Sequence, residues 1–156
     1  MLQISRRAAQ IAPSATLAID TRAKALKAEG RDVVGFGAGE PDFDTPAYVR
    51  DAAHRAIEEG KTRYTPVGGT LSLRKKIAEK FLKDNGLAYE PGEIIVSSGA
   101  KQSIFMALSV LVDEGDEVLI PSPYWVSYPE MVKMVGGGPV FVPCYHEDGF
   151  IVRPEE

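Results

Sequence analysis

The sequence has one cysteine, Cys144, among its 156 residues, so no internal disulfide can staple it. A lone thiol fits a reducing compartment, and the location expected from it is cytoplasmic. Only two histidines occur, His54 and His146, far apart in the chain. With no Cys/His/Asp group at ligand spacing, no metal site is expected. Positive charge is in deficit: 18 Lys and Arg stand against 22 Asp and Glu, a net charge of −4 at pH 7. That balance offers no basic footprint for nucleic acid or an anionic membrane. No apolar run approaches the ~20 residues that span a bilayer. The basic start at Arg6-Arg7 is followed by no hydrophobic signal segment. Internal repeats and low-complexity tracts are also missing. What is present is an ordinary globular composition, 44% hydrophobic and 26% charged, with enough apolar mass for a core.

The most informative stretch is Ser97-Ser98-Gly99-Ala100-Lys101. It ends the apolar run Ile94-Ile95-Val96 and opens an almost wholly apolar helical segment from Gln102 to Val112. A strand that turns through small residues into a helix leaves backbone N–H groups aimed at one spot, backed by the positive end of the helix dipole. Such a turn seats an anion, most often a phosphate. After the next strand the chain supplies Tyr124-Trp125, and a phosphate seat with a large flat side chain suggests a phosphorylated planar cofactor. Taken alone, the turn is equally an ordinary β–α connection.

Pattern and punctuation give the organisation. Pro13-Ser14 starts a helix bearing Leu17, Ala18, Ala25 and Leu26, and Gly30 stops it. Val33–Phe36 reads as a short strand leading into a loop through Gly37 to Pro41. Asp44-Thr45-Pro46 reads as a capped helix start with proline at the first helical position. That helix is expected to bury Val49, Ala53, Ala56 and Ile57 and to end at Gly60. A further helix runs from about Thr70 to Asp84, with Leu73, Ile77 and Phe81 on one face and Asn85-Gly86 as its stop. From residue 93, the runs Ile94–Val96, Val118–Ile120 and Val140–Val142 alternate with helical segments. The expected class is α/β, a mainly parallel sheet joined by crossovers with helices on both faces. Three such strands make a small sheet with open edges, so the sequence reads as the front part of a longer protein.

Four segments in order and in register carry a resemblance. Gly37 to Pro46 (GAGEPDFDTP), Tyr64 to Gly69 (YTPVGG) with Leu73-Arg74, Gly99-Ala100-Lys101-Gln102, and Pro121 to Pro129 (PSPYWVSYP) are similar to the signatures of class I aminotransferases. The likeness runs from about Ser5 to Asp148 and is nearest to the bacterial aspartate aminotransferase subgroup, some of whose members also take prephenate. It implies a pyridoxal 5′-phosphate (PLP) enzyme of fold type I, working as a homodimer with each active site at the subunit interface. The implied reaction moves an amino group between L-aspartate, or a similar amino acid, and 2-oxoglutarate in two half-reactions.

The resemblance also implies roles. Gly99, Ala100 and Lys101 would hold the cofactor phosphate, with glycine allowing close approach. Trp125 would lie against the pyridine ring and border the substrate; without the resemblance, a lone tryptophan reads as a core anchor. Gly39 would touch the substrate carboxylate through its backbone, or serve simply as a turn glycine. Tyr64 would reach the phosphate of the partner subunit, where a surface-loop tyrosine is the plainer reading. Asp44 reads as helix-start chemistry and Asp42 as loop structure. Ala12 departs from the pattern: relatives that take prephenate tend to carry a basic residue just before the segment here written Pro13 to Thr16. Alanine cannot pair with a second carboxylate, so little prephenate activity is expected.

The family's cofactor-bearing lysine corresponds to a position beyond residue 156, so no catalytic residue is assigned within this chain, and the chain alone is expected to be inactive. The expected division is 1–45 for arm, helix and substrate loop, and 46–156 for the start of the large PLP-binding domain. Two other readings stand beside the first: a different fold-type I PLP enzyme such as a lyase or synthase, and a non-catalytic piece that only dimerises or binds phosphate.

Overall fold

The computed structural model describes residues 3–37 and 39–154. Its elements are α1 (Arg6–Ala9), α2 (Ala15–Ala28), α3 (Ala47–Glu58), α4 (Leu71–Asn85), α5 (Gly99–Leu111), β1 (Glu117–Ser122), α6 (Ser127–Val135) and β2 (Gly138–Pro143). Short 3-10 turns occupy Pro91–Glu93 and His146–Asp148. The chain divides into two compact units, one made of residues 1–40 and 104–156, the other of 41–103.

In the first unit β1 and β2 pair in parallel, from Glu117 opposite Gly138 to Ser122 opposite Pro143, with α6 as the crossover. The strand–helix–strand alternation read from the sequence is therefore present here. Met131 and Val132 of α6 are buried, as are Ile120, Val142 and Cys144, and Val132 retains only 1% of its surface. Gly136, with φ of +99°, ends α6 in the left-handed region where a Cβ is costly.

Side chains alternate across a strand, and the parallel register sets Ile120 beside Phe141 on one face, and Leu119 with Val140 and Val142 on the other. Each face therefore carries one buried residue, Ile120 at 4% exposure and Val142 at 7%, while Leu119, at 67%, and Phe141, at 47%, stay exposed on opposite faces. The run Val33–Phe36 is not a strand: no ladder pairs it, and Val34 and Phe36 are exposed. β-rich residues form a strand only when a neighbour accepts and donates their backbone bonds. The helix predicted from Pro13-Ser14 forms as α2, with the Ser14 hydroxyl accepting from the Leu17 N–H at 3.3 Å and Gly30 at φ +80° beyond its end.

The second unit holds α3 and α4. Pro46 is the residue flanking α3 rather than its first helical position, and no side chain caps that end, so Asp44 is not a helix cap. Gly60 follows α3 at φ +71°. The stripe Val49, Ala53 and Ile57 is exposed and Ala56 half-buried, against the expected burial; among the described residues no other element packs on α3. The α4 boundaries agree with the sequence. Thr70 Oγ1 accepts from the Leu73 N–H, and Gly86 closes the helix at φ +68°. Arg74 donates from Nη1 to the Pro91 carbonyl at 2.9 Å, and Phe81 meets Tyr89 edge-on at 6.0 Å.

Ile94–Val96 is not a strand either. A single bond, from the Val96 N–H to the Gly68 carbonyl at 3.0 Å, fastens it. Ile94 is buried and Ile95 exposed. Among the described residues the sheet thus has two strands where three were expected.

Candidate functional site

The turn into α5 is built as the small residues require. Gly99 begins the helix at φ +80°, and a Cβ there would meet nothing within 4 Å. The position is glycine for its backbone conformation and leaves open space beside the chain. The Gly99 N–H donates to the Ser97 carbonyl at 2.9 Å, and the Ser98 N–H donates to Gln102 Oε1. Ser103 links Ser97 Oγ with the Gly99 carbonyl. These bonds take up the donors preceding the helix, and Ala100 and Lys101 stand in its first turn. Gln102 entered the sequence analysis only as the end of the Gly99-Ala100-Lys101-Gln102 motif, and Ser103 was not singled out. The nearest signal is a run of polar residues, Lys101 to Ser103, before the apolar part of the helix.

Tyr64, in the same unit, projects from the loop before α4 and is fully exposed. Its loop is closed by the Gly69 N–H on the Pro66 carbonyl at 2.8 Å and is joined to the run before Gly99 through Gly68 and Val96. Gly69 lies against Val96 so closely that a Cβ would fall 2.8 Å from Val96 Cγ2. The glycine pair in Tyr-Thr-Pro-Val-Gly-Gly is therefore a close-approach device, which the motif alone did not disclose.

Trp125 and Gly39 belong to the other unit. Trp125 follows β1, is 43% exposed and meets Tyr128 edge-on at 5.6 Å. It is not a buried core anchor. Tyr124, to which the sequence assigned no contact, stacks on Phe141 with centroids 4.8 Å apart and planes 16° from parallel. Gly39 is exposed, and a Cβ there would meet nothing within 4 Å. Ala38 before it lies outside the described residues. Gly99, Ala100 and Lys101 are thus together on one turn, with Tyr64 on a loop of the same unit.

Ala12 and Glu130 also meet, and sequence reasoning did not reach that pair. The Ala12 N–H donates to Glu130 Oε2 at 3.0 Å, and Lys133 Nζ binds Glu130 Oε1 at 2.9 Å. The Lys133 hydrogen bond, and after it the Ala12 N–H, holds the Glu130 carboxyl below the usual carboxylate range. Among the described residues no three His, Cys, Asp or Glu side chains form a group that could hold a metal ion, and no helix is long and apolar enough to cross a membrane.

Residues 31–156 match the family model for aminotransferases of class I and II, and the chain belongs to that family. It is 54% identical over 155 residues to the aspartate aminotransferase of Geobacillus stearothermophilus, covering 99% of this chain and 39% of that protein. It is 51% identical to the aspartate/prephenate aminotransferase of Nitrosomonas europaea, with the same two coverages. The fold superposes on the Thermus thermophilus aspartate aminotransferase solved with maleate, with a TM-score of 0.93 and 49% identity over 99% of this chain and 41% of that one. The chain therefore spans about 39% of the length of the curated relatives it matches.

Proposed function

We propose that this protein is a PLP-dependent aminotransferase that exchanges an amino group between L-aspartate, or a similar amino acid, and 2-oxoglutarate. The observation that carries the reading is the Gly99 turn, in a chain that belongs to the class I and II aminotransferases. Its left-handed glycine, the open space beside it and the first-turn donors of α5 fit a phosphate monoester. When bound, PLP supplies the electron sink for the carbanion left when the α-proton departs.

The roles proposed for this chain's residues are those that the resemblance to class I aminotransferases implies. The N–H groups of Ala100 and Lys101 bind phosphate oxygens, and Gly99 lets them approach. Trp125, whose indole is partly open, walls the ring and the substrate space. Tyr64 supplies a hydroxyl donor to the phosphate in a second copy of the chain, which its full exposure permits. The backbone at Gly39 meets the substrate carboxylate. The proposed arrangement is a homodimer in the cytoplasm, with 1–45 as arm and substrate loop and 46–156 as the start of the cofactor domain. The cofactor-bearing lysine is not assigned to any residue of this chain.

The test is a coupled assay of the natural protein carrying this sequence, with aspartate and 2-oxoglutarate, reading oxaloacetate formation. Formation that requires both substrates and falls on removal of PLP supports the reading; its absence in PLP-loaded protein overturns it. The 156 residues alone, treated with PLP and borohydride, should gain no stoichiometric pyridoxyl group on a single lysine.

A further inference from the structure

The N-terminal arm, from Ser5 to Ser14, lies on α6, and Glu130 ties it there through one carboxylate oxygen while Lys133 holds the other. Glu130 Oε2 accepts from the Ala12 N–H at 3.0 Å across 118 residues of sequence. Its other oxygen accepts from Lys133 Nζ, one helical turn on, at 2.9 Å. The lysine fixes the carboxylate rotamer, so the second oxygen stays aimed at the arm. An ionised acceptor makes a stronger bond to a backbone N–H than a neutral one. Immediately after this bond Pro13 fixes the backbone and Ser14 caps α2. The bond therefore holds the arm at the point where it turns into a helix. Beneath that point is a cleft of about 420 Å³ lined by Ile11, Ser14, Tyr124, Val126, Phe141 and Lys133.

We propose that Glu130 is a positioning residue: it docks the arm on α6 through the Ala12 N–H and so fixes where the side chain at position 12 stands. The consequence for specificity rests on the aminotransferase reading, in which position 12 faces the distal end of the substrate; the docking itself does not. The elements against α6 bring few other charges: Arg6 and Arg7 on α1, Glu117 at the start of β1 and none on β2. Asp113 and Glu114 line a separate cleft with Arg6, Arg7 and Lys133. Lys133 is the cation in contact with the carboxylate.

The test follows two nuclei in the natural protein by NMR, the Glu130 carboxyl carbon and the Ala12 amide proton, from pH 7 downward. Docking requires that both titrate with one midpoint, and that E130Q removes the titration of the Ala12 proton. An Ala12 proton that does not move through the Glu130 transition overturns the proposal. As a second reading, tryptic cleavage after Arg6 or Arg7 should speed up at least threefold in E130A, with the Ile120 and Val142 amides as protected as in the unaltered protein. Equal cleavage with those amides protected also overturns it. In the assay of aspartate turnover, E130A should raise KM severalfold and leave kcat within about twofold. Loss of transaminase activity altogether in the unaltered protein would defeat the functional reading while leaving the Ala12 titration a valid test of docking.

Discussion

Gly69 and Val96 touch so closely that no side chain fits at position 69: a Cβ there would stand 2.8 Å from Val96 Cγ2 and 2.9 Å from Val96 Cβ. The neighbouring bond from the Val96 N–H to the Gly68 carbonyl locks the same two segments together. The loop that presents Tyr64 is thereby fixed to the run that ends at Gly99.

Gly69→Ala should consequently be costly. Its φ of +94° disfavours any side chain, and valine, branched at the contact, has no flexible end to swing away. Overpacking of this kind costs about 1–3 kcal/mol. The expected result is a lower urea midpoint, partly restored when Val96→Ala is added. A double-mutant cycle with no coupling would contradict the contact.

Gly99→Ala probes the phosphate turn by a different route. A methyl would meet nothing, so the penalty is the left-handed backbone alone, about 1–2 kcal/mol. Binding of inorganic phosphate or PLP should weaken about tenfold on the scale of that penalty. Gly92→Ala, also in open space and without a positive φ, is the control and should bind normally. Isothermal titration of the two variants separates them; equal affinity would remove Gly99 from the site.

Glu130 makes stability depend on acid pH. Its carboxyl titrates lower in the folded protein than its ordinary value of 4.5, so the folded state favours the ionised form. The stabilisation is full above 4.5 and is lost as pH falls through the lowered folded value. Urea midpoints of the unaltered protein and E130Q should differ at pH 7 and converge in acid. A gap that widens on acidification would reverse the sign and refute the assignment.

Position 12 carries alanine, which offers no charge to a second carboxylate. As an amino acceptor, oxaloacetate should exceed prephenate at least tenfold in kcat/KM, and Ala12→Arg should narrow that ratio. The comparison is a pair of steady-state assays on one preparation. Comparable turnover of the two acceptors by the unaltered protein would remove Ala12 from the specificity argument.

Local chemistry was legible in the sequence where one residue decides the outcome. Ser14 and Thr70 cap their helices, Gly86 ends α4 in the left-handed region, and β1–α6–β2 follows from strand–helix alternation. Reading failed where a partner decides. Ile94–Val96 and Val33–Phe36 have strand composition but no ladder, and the apolar stripe of α3 finds no cover among the described residues. Asp44 had a capping residue type yet stands too early, since Pro46 itself flanks the helix. In the candidate site, the Gly99 turn was legible because glycine and a helix start suffice to make it. The Glu130–Ala12 bond was not, because nothing in a local pattern joins residues 118 apart.

The lone parallel pair of β1 and β2 has a consequence for how any larger sheet would be assembled. Parallel strands can be joined only by a crossover, so their pairing waits until α6 has been made and folded back. Once formed, among the described residues the pair shows an unpaired backbone border along each outer side, with Leu119 exposed on one face and Phe141 on the other. Such a pair acts as a mould: its twist and spacing dictate the direction and register of whatever chain is laid alongside it, and an unsuitable chain can be laid there as readily as the right one.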